Sequence, residues 1–147
     1  IRVLYSIGAY GSGDDDPTKC GNFSKAASTA EGRKKLIDSI IKIIVNNHFD
    51  GVDIDWEFPG ISGVDTSYYT TQRDQANLNK LLRDLRNEFN EYQDPNGSPY
   101  ILSVAIPSSS WGAARYDFTG SASKSFTGDN TLGGINEYCD YVIIFTL

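Results

Sequence analysis

Phe49-Asp50-Gly51-Val52-Asp53-Ile54-Asp55-Trp56-Glu57-Phe58-Pro59-Gly60 is a short apolar run that carries four carboxylates. Read as a strand over residues 50 to 57, it alternates its side chains, so Asp53, Asp55 and Glu57 share one face while Val52, Ile54 and Trp56 share the other. Successive acids then stand about 6 to 7 Å apart. The apolar opposite face predicts a strand covered by helices, as in a buried parallel sheet. Like charges in a row repel, and burial adds desolvation, so the pKa of at least one acid rises and a proton is held near neutral pH. Glu57, last in the row and next to the Pro59-Gly60 turn, is the one placed at a strand mouth to act as a general acid. A solvated acidic strand face and a site for Mg or Ca are the two alternatives that the same residues leave open.

Outward from this strand the chain reads as alternating elements. Ile1-Arg2-Val3-Leu4-Tyr5-Ser6-Ile7 predicts a buried strand running into Gly8, followed by a polar loop over residues 8 to 27 with Gly11, Gly13, Asp14 to Asp16 and Pro17. Ser28-Thr29-Ala30-Glu31 has capping-box spacing, and Leu36, Ile37, Ile40, Ile41, Ile44 and Val45 follow at helical period until Asn46 and Asn47. Beyond the acidic strand a loop over 60 to 71 precedes a helix from about Gln72 to Tyr92, with Leu78, Leu81, Leu82, Leu85 and Phe89 as its buried stripe.

Asp94-Pro95-Asn96-Gly97 marks a turn, and Ile101 to Ile106 predicts a third strand stopped by Pro107. A Gly- and Ser-rich stretch to about Gly134 offers only one short helix, near Gly133 to Tyr138, before a last strand at Tyr141 to Leu147. This order is that of a parallel α/β sheet with right-handed crossovers, whose function lies at the carboxyl ends of the strands. Glu57, Tyr10, Trp111 and Leu147 fall at such ends or just beyond them. Starting and stopping in mid-strand would leave two bare sheet edges, so residues 1–147 are expected to be part of a larger domain, with no second domain among them.

Composition narrows the function classes. The 147 residues are 39% apolar and 12% aromatic, enough for a core, and contain no apolar run of 18 or more and no charged-then-apolar leader. A net charge of −6 disfavours nucleic acid and anionic membranes as partners and is compatible with a neutral polymer. Cys20 and Cys139 leave pairing open, and the glycosylation tripeptides Asn22-Phe23-Ser24 and Asn96-Gly97-Ser98 read as ordinary loop residues.

The run from Asp50 to Glu57 resembles the Asp-x-x-Asp-x-Asp-x-Glu signature of glycoside hydrolase family 18, the chitinases and their relatives. Members of that family are (β/α)8 TIM barrels with this motif on the fourth strand, so the resemblance implies roughly strands 3 to 6, about half of the fold. Ser6-Ile7-Gly8-Ala9 is similar to the Ser-x-Gly-Gly of the third strand, with Ala9 replacing the second glycine. Tyr10 stands where the family has an aromatic residue stacking a sugar ring; a half-buried loop tyrosine is the plainer reading.

The resemblance implies that Glu57 protonates the glycosidic oxygen, that Asp55 orients the 2-acetamido group of the substrate, and that Asp53 supports Asp55 with Ser6 near it. Asp50 would be structural. Tyr10, Ser6, Gly8 and Trp111 would bear on substrate binding. The nucleophile would be the acetamido oxygen itself, so the two-carboxylate spacing rule does not apply. Chitin or chito-oligosaccharides, no metal or cofactor, and a secreted or extracellular setting are implied in the same way.

Phe145-Thr146-Leu147 departs from the family's Met-x-Tyr-Asp, placing Leu147 where a tyrosine donates to the acetamido oxygen. Such a loss costs about 3 kcal/mol of transition-state stabilisation. A chitinase-like carbohydrate-binding protein without turnover, or an endo-N-acetylglucosaminidase acting on glycoproteins, are the competing expectations.

Overall fold

Val52, Ile54 and Trp56 are buried to within 1% of full enclosure, and the structure is built on covering them. The computed structural model describes residues 1–10, 18–60, 71–92 and 97–146, with side chains described at all of these except 9, 10 and 18–22. The elements are β1 (Leu4–Tyr10), α1 (Thr18–Ser28), α2 (Ala30–Asn46), β2 (Gly51–Glu57), α3 (Thr71–Glu91), β3 (Ile101–Pro107), α4 (Ser110–Ala113), α5 (Ser121–Thr127), α6 (Ile135–Tyr138) and β4 (Tyr141–Phe145). The strands form one parallel sheet in the order β1-β2-β3-β4. Among the described residues β1 and β4 are therefore its two edges.

One face of the sheet carries the core. Ile37, Ile40 and Ile44 of α2 and Leu78, Leu81, Leu82, Leu85 and Phe89 of α3 pack with Val52, Ile54, Trp56, Leu102, Val104 and Ile106. These are the helical stripes and the outward strand positions that the periodicity predicts. Each such side chain contributes about 1.5–3 kcal/mol through removal from water. Arg33 ties α2 to α3 by donating to Asp84 at 2.7 Å. The opposite face, which holds Ser6, Gly8 and the acid row, is open at Ser6 and Gly8.

Four expectations are corrected. The first strand begins at Leu4, not Ile1, and reaches Tyr10. Residues 18–27, expected as loop, lie in α1, which runs to Ser28. Its inward face mixes Phe23 and Ala27 with Ser24, all buried, so no apolar stripe announces it. The helix after it starts one residue later than the capping box suggests, with Thr29 as the N-cap, its hydroxyl accepting from Gly32 N at 3.0 Å.

The Gly- and Ser-rich stretch holds α4 and α5 as well as α6. In α5 the buried residue is Ser123, whose hydroxyl accepts from Asn79 at 2.9 Å, and Asp117 accepts from the backbone of Gly120 and Ser123. A helix seated by polar contacts has no hydrophobic period to read. Asn22 is likewise helical, and Ser24 of its tripeptide is fully buried, donating to Asp74 at 2.7 Å. The turn expected at residues 94–97, apart from Gly97, and the environments of Cys20, Asn96 and Leu147 lie outside the described residues. Cys139 is a free thiol whose burial pushes its pKa up to about 12.

Candidate active site

The parallel register fixes what stands beside each acid. Ser6 is opposite Asp53, Gly8 opposite Asp55 and Tyr10 opposite Glu57 on the β1 side, and Ser103 is opposite Asp53 on the β3 side. Partners across a ladder project to one face. Ser6 donates its hydroxyl to Asp53 Oδ2 at 2.9 Å, and Ser103 donates to Oδ1 at 2.6 Å. Asp53, 5% exposed, thus has a donor on each oxygen, which offsets the cost of taking a carboxylate out of water.

Asp55 and Glu57 are held differently. Burial raises the Asp55 pKa, the charge of Asp53 raises it further, and a hydrogen bond with Glu57 pulls it back. Burial also raises Glu57, as do the charge of Asp55 and that same hydrogen bond. Both acids are thus held above their ordinary values, chiefly by burial, with the hydrogen bond between them raising Glu57 and lowering Asp55. Oδ1 of Asp55 is buried with no hydrogen-bond partner among the described residues. The row is therefore graded in its partners: Asp53 has a hydroxyl on each oxygen, Asp55 has a buried oxygen with spare acceptor capacity, and Glu57 stands at the strand end with its pKa raised by burial. An acid so placed at the strand mouth can donate a proton beside the carboxyl groups of Asp53 and Asp55.

Gly8 is present for steric reasons. At φ +137° its backbone passes so close to β2 that an added Cβ would collide with the Asp55 carbonyl oxygen. Ser6 and Gly8, expected to bear on substrate, make these contacts with the acid strand. Asp50 sits at the start of β2, where it accepts from Val3 N at 2.5 Å. The Tyr10 backbone ends β1 opposite Glu57, while its side chain lies outside the described residues. Trp111 lies in α4, beyond the end of β3, and is 57% exposed. Its ring meets Phe58 edge-on at 5.9 Å and lies under the Arg115 guanidinium at 4.2 Å. Among the described residues no group of three or more His, Cys, Asp or Glu is arranged to hold a metal ion.

Ser103, Arg115, Tyr116 and Asp74 join the site without having been expected from the sequence. Tyr116 donates to the Trp56 carbonyl at 2.8 Å, Arg115 to the Pro59 carbonyl at 3.3 Å, and Asp74 accepts from Gly60 N at 2.9 Å. Only Ser103 carries a signal, as a polar residue in an otherwise apolar strand.

The family model for glycosyl hydrolases family 18 matches residues 1–147, the whole chain. The chain belongs to glycosyl hydrolase family 18. Chitinase B of Serratia marcescens is 29% identical to this family 18 chain over 116 residues, 79% of the chain and 22% of that protein. The Ostrinia furnacalis Group IV chitinase, solved in complex with allosamidin, matches with a TM-score of 0.71 and 25% identity over 99% of the chain and 31% of that structure. A chitinase-like agglutinin from Robinia pseudoacacia matches with a TM-score of 0.71 and 27% identity, covering 99% of the chain and 36% of that structure. The four parallel strands and their helices are thus part of the family's (β/α)8 barrel. The chain spans 14% to 23% of the length of the curated relatives it matches, Chitinase B among them.

Proposed function

We propose that the full-length protein hydrolyses β-1,4 linkages in chitin or N-acetylglucosamine oligomers by a retaining, substrate-assisted mechanism, with Glu57 as general acid. The observation that carries this reading is the row of Asp53, Asp55 and Glu57 along β2, with Asp53 satisfied by two hydroxyls and Glu57 at the end of the strand. Glu57 gives its proton to the glycosidic oxygen as the bond from C1 to that oxygen breaks. The carbonyl oxygen of the 2-acetamido group forms the new bond to C1, and the positive charge it develops is stabilised by Asp55, whose free oxygen can accept from the acetamido N–H. Water then attacks C1 with Glu57 as base, which restores the acetamido group and the acid.

Residues 1–147 would supply about half of the barrel, with Tyr10 and Trp111 among the residues proposed to bear on sugar binding. Chitin or its oligomers are the partner this assigns. An extracellular setting suits an insoluble polysaccharide. The names of the relatives, chitinases among them, support the substrate class.

A second reading, a carbohydrate-binding protein without turnover, is favoured by the likeness to the agglutinin and by Leu147 standing in place of the donor tyrosine. Release of reducing ends from chitin oligomers by the full-length protein separates the two. Hydrolysis that disappears in Glu57→Gln while oligomer binding persists supports the enzyme. Tight binding with no release by the wild type supports the lectin, and unchanged activity in Glu57→Gln removes the mechanism.

A further inference from the structure

The hydrogen-bonded ladder between β2 and β3 runs only from Gly51 and Ile101 to Ile54 and Val104. Past Ile54 the acid-bearing end of β2 therefore lacks that neighbour, and side chains from elsewhere take over its backbone. The buried hydroxyl of Tyr116, 4% exposed as a residue, donates to the Trp56 carbonyl at 2.8 Å. That carbonyl and the Glu57 N–H belong to one planar peptide unit, so holding the oxygen fixes the plane from which Glu57 projects. Three residues on, Arg115 donates to the Pro59 carbonyl at 3.3 Å, and the Gly60 N–H donates to Asp74 at 2.9 Å.

Both holders hang from one place. Asp74 lies in the first turn of α3, and its neighbour Gln75 donates to the Ala114 carbonyl at 2.9 Å, anchoring the segment that carries Arg115 and Tyr116. Asp74 is 1% exposed and is itself fixed from behind by Ser24, which donates at 2.7 Å. The backbone is thus gripped on both sides of Glu57, at residue 56 and at 59 to 60, from elements outside the catalytic strand. The Tyr116–Trp56 and Ser24–Asp74 bonds are buried, and such bonds hold geometry because their alternatives are unsatisfied groups away from water.

We propose that Tyr116, Arg115 and Asp74 are positioning residues for Glu57, clamping the strand end so that its carboxyl meets the glycosidic oxygen in a single orientation; this rests on Glu57 being the general acid. Aim acts on the chemical step rather than on sugar binding, so its loss belongs in kcat. In the full-length protein Tyr116→Phe should lower kcat about tenfold or more with KM within about twofold. Asp74→Leu should do the same, and Asp74→Asn, which keeps an acceptor for Gly60 and a partner for Ser24, should restore most of the rate. Arg115→Gln, at a half-buried position and so tolerant in folding, should move kcat in the same direction.

Ser123→Ala is the control for stability alone, since it removes a buried hydrogen bond to Asn79 away from the clamp. Equal kcat in Tyr116→Phe and Ser123→Ala, or an unchanged rate in Asp74→Leu, would overturn the clamp. Running Glu57→Gln in the same series tells the two assignments apart. An inactive Glu57→Gln beside a fully active Tyr116→Phe removes the clamp alone, and an active Glu57→Gln removes the general acid and the clamp with it.

Discussion

Ser103 stands directly across the β2–β3 ladder from Asp53 and donates its hydroxyl to the carboxylate at 2.6 Å, in a position with no solvent exposure. A donor this short to a carboxylate contributes about 1.5–3 kcal/mol, and its removal leaves a buried oxygen unsatisfied. Ser103→Ala should therefore lower unfolding stability by about that much. Denaturant titration of wild type and variant at neutral pH checks the effect. A loss under about 0.5 kcal/mol would show that Asp53 does not depend on this serine.

The sign of the pH dependence at Glu57 comes from its raised pKa. Below the ordinary carboxylate value both folded and unfolded states hold the proton, and the group contributes nothing to stability. Above the raised value both have lost it, and the folded state bears the full cost of a buried charge beside Asp55. Glu57→Gln should thus melt at nearly the same temperature as wild type near pH 3.5 and higher at pH 7. The gap should open as pH climbs through the window that starts at the ordinary carboxyl value of 4.5. A constant difference across the range would mean that Glu57 is not perturbed.

Gly8→Ala tests the contact between the first two strands. Its methyl group would run into the Asp55 carbonyl in a left-handed backbone region, so the strands must separate or the residue must refold. Loss of more than about 3 kcal/mol is expected, with activity falling alongside. A variant that melts within a few degrees of wild type would contradict the close approach.

Phe23→Ala should be equally costly, by about 3–5 kcal/mol. Its ring stacks on Trp56 at 5.5 Å and 15°, closing α1 over the outer face of β2. Equilibrium unfolding measures the cost, and a change under about 1 kcal/mol would mean that α1 is dispensable to the core.

Periodic features were the legible ones. The acid row, the stripe of α3 and the parallel order could be read because Asp53, Asp55 and Glu57 alternate and Leu78, Leu81, Leu82, Leu85 and Phe89 recur at helical spacing. Where packing is polar the pattern fell silent, as at Ser24 in α1 and Ser123 in α5, whose burial is secured by Asp74 and Asn79. The clamp around Glu57 joins residues 39 to 60 positions apart or lying 14 apart around a loop, and pairings at such separations are set by tertiary register alone. Ser103 required the β2–β3 register before its hydroxyl could be placed on Asp53.

The three acids ride on a single pleated ribbon, and this makes their spacing mechanically insulated. Helices of a barrel slide and breathe over their sheet, and loops above it rearrange, yet the spacing along one strand is set by covalent geometry and changes little. The backbone positions of Asp55 and Glu57 therefore keep their separation whatever moves above the sheet. Spacing along the row is thus a property of eight consecutive residues, Asp50 to Glu57, while the burial that raises the acids belongs to the elements packed around them.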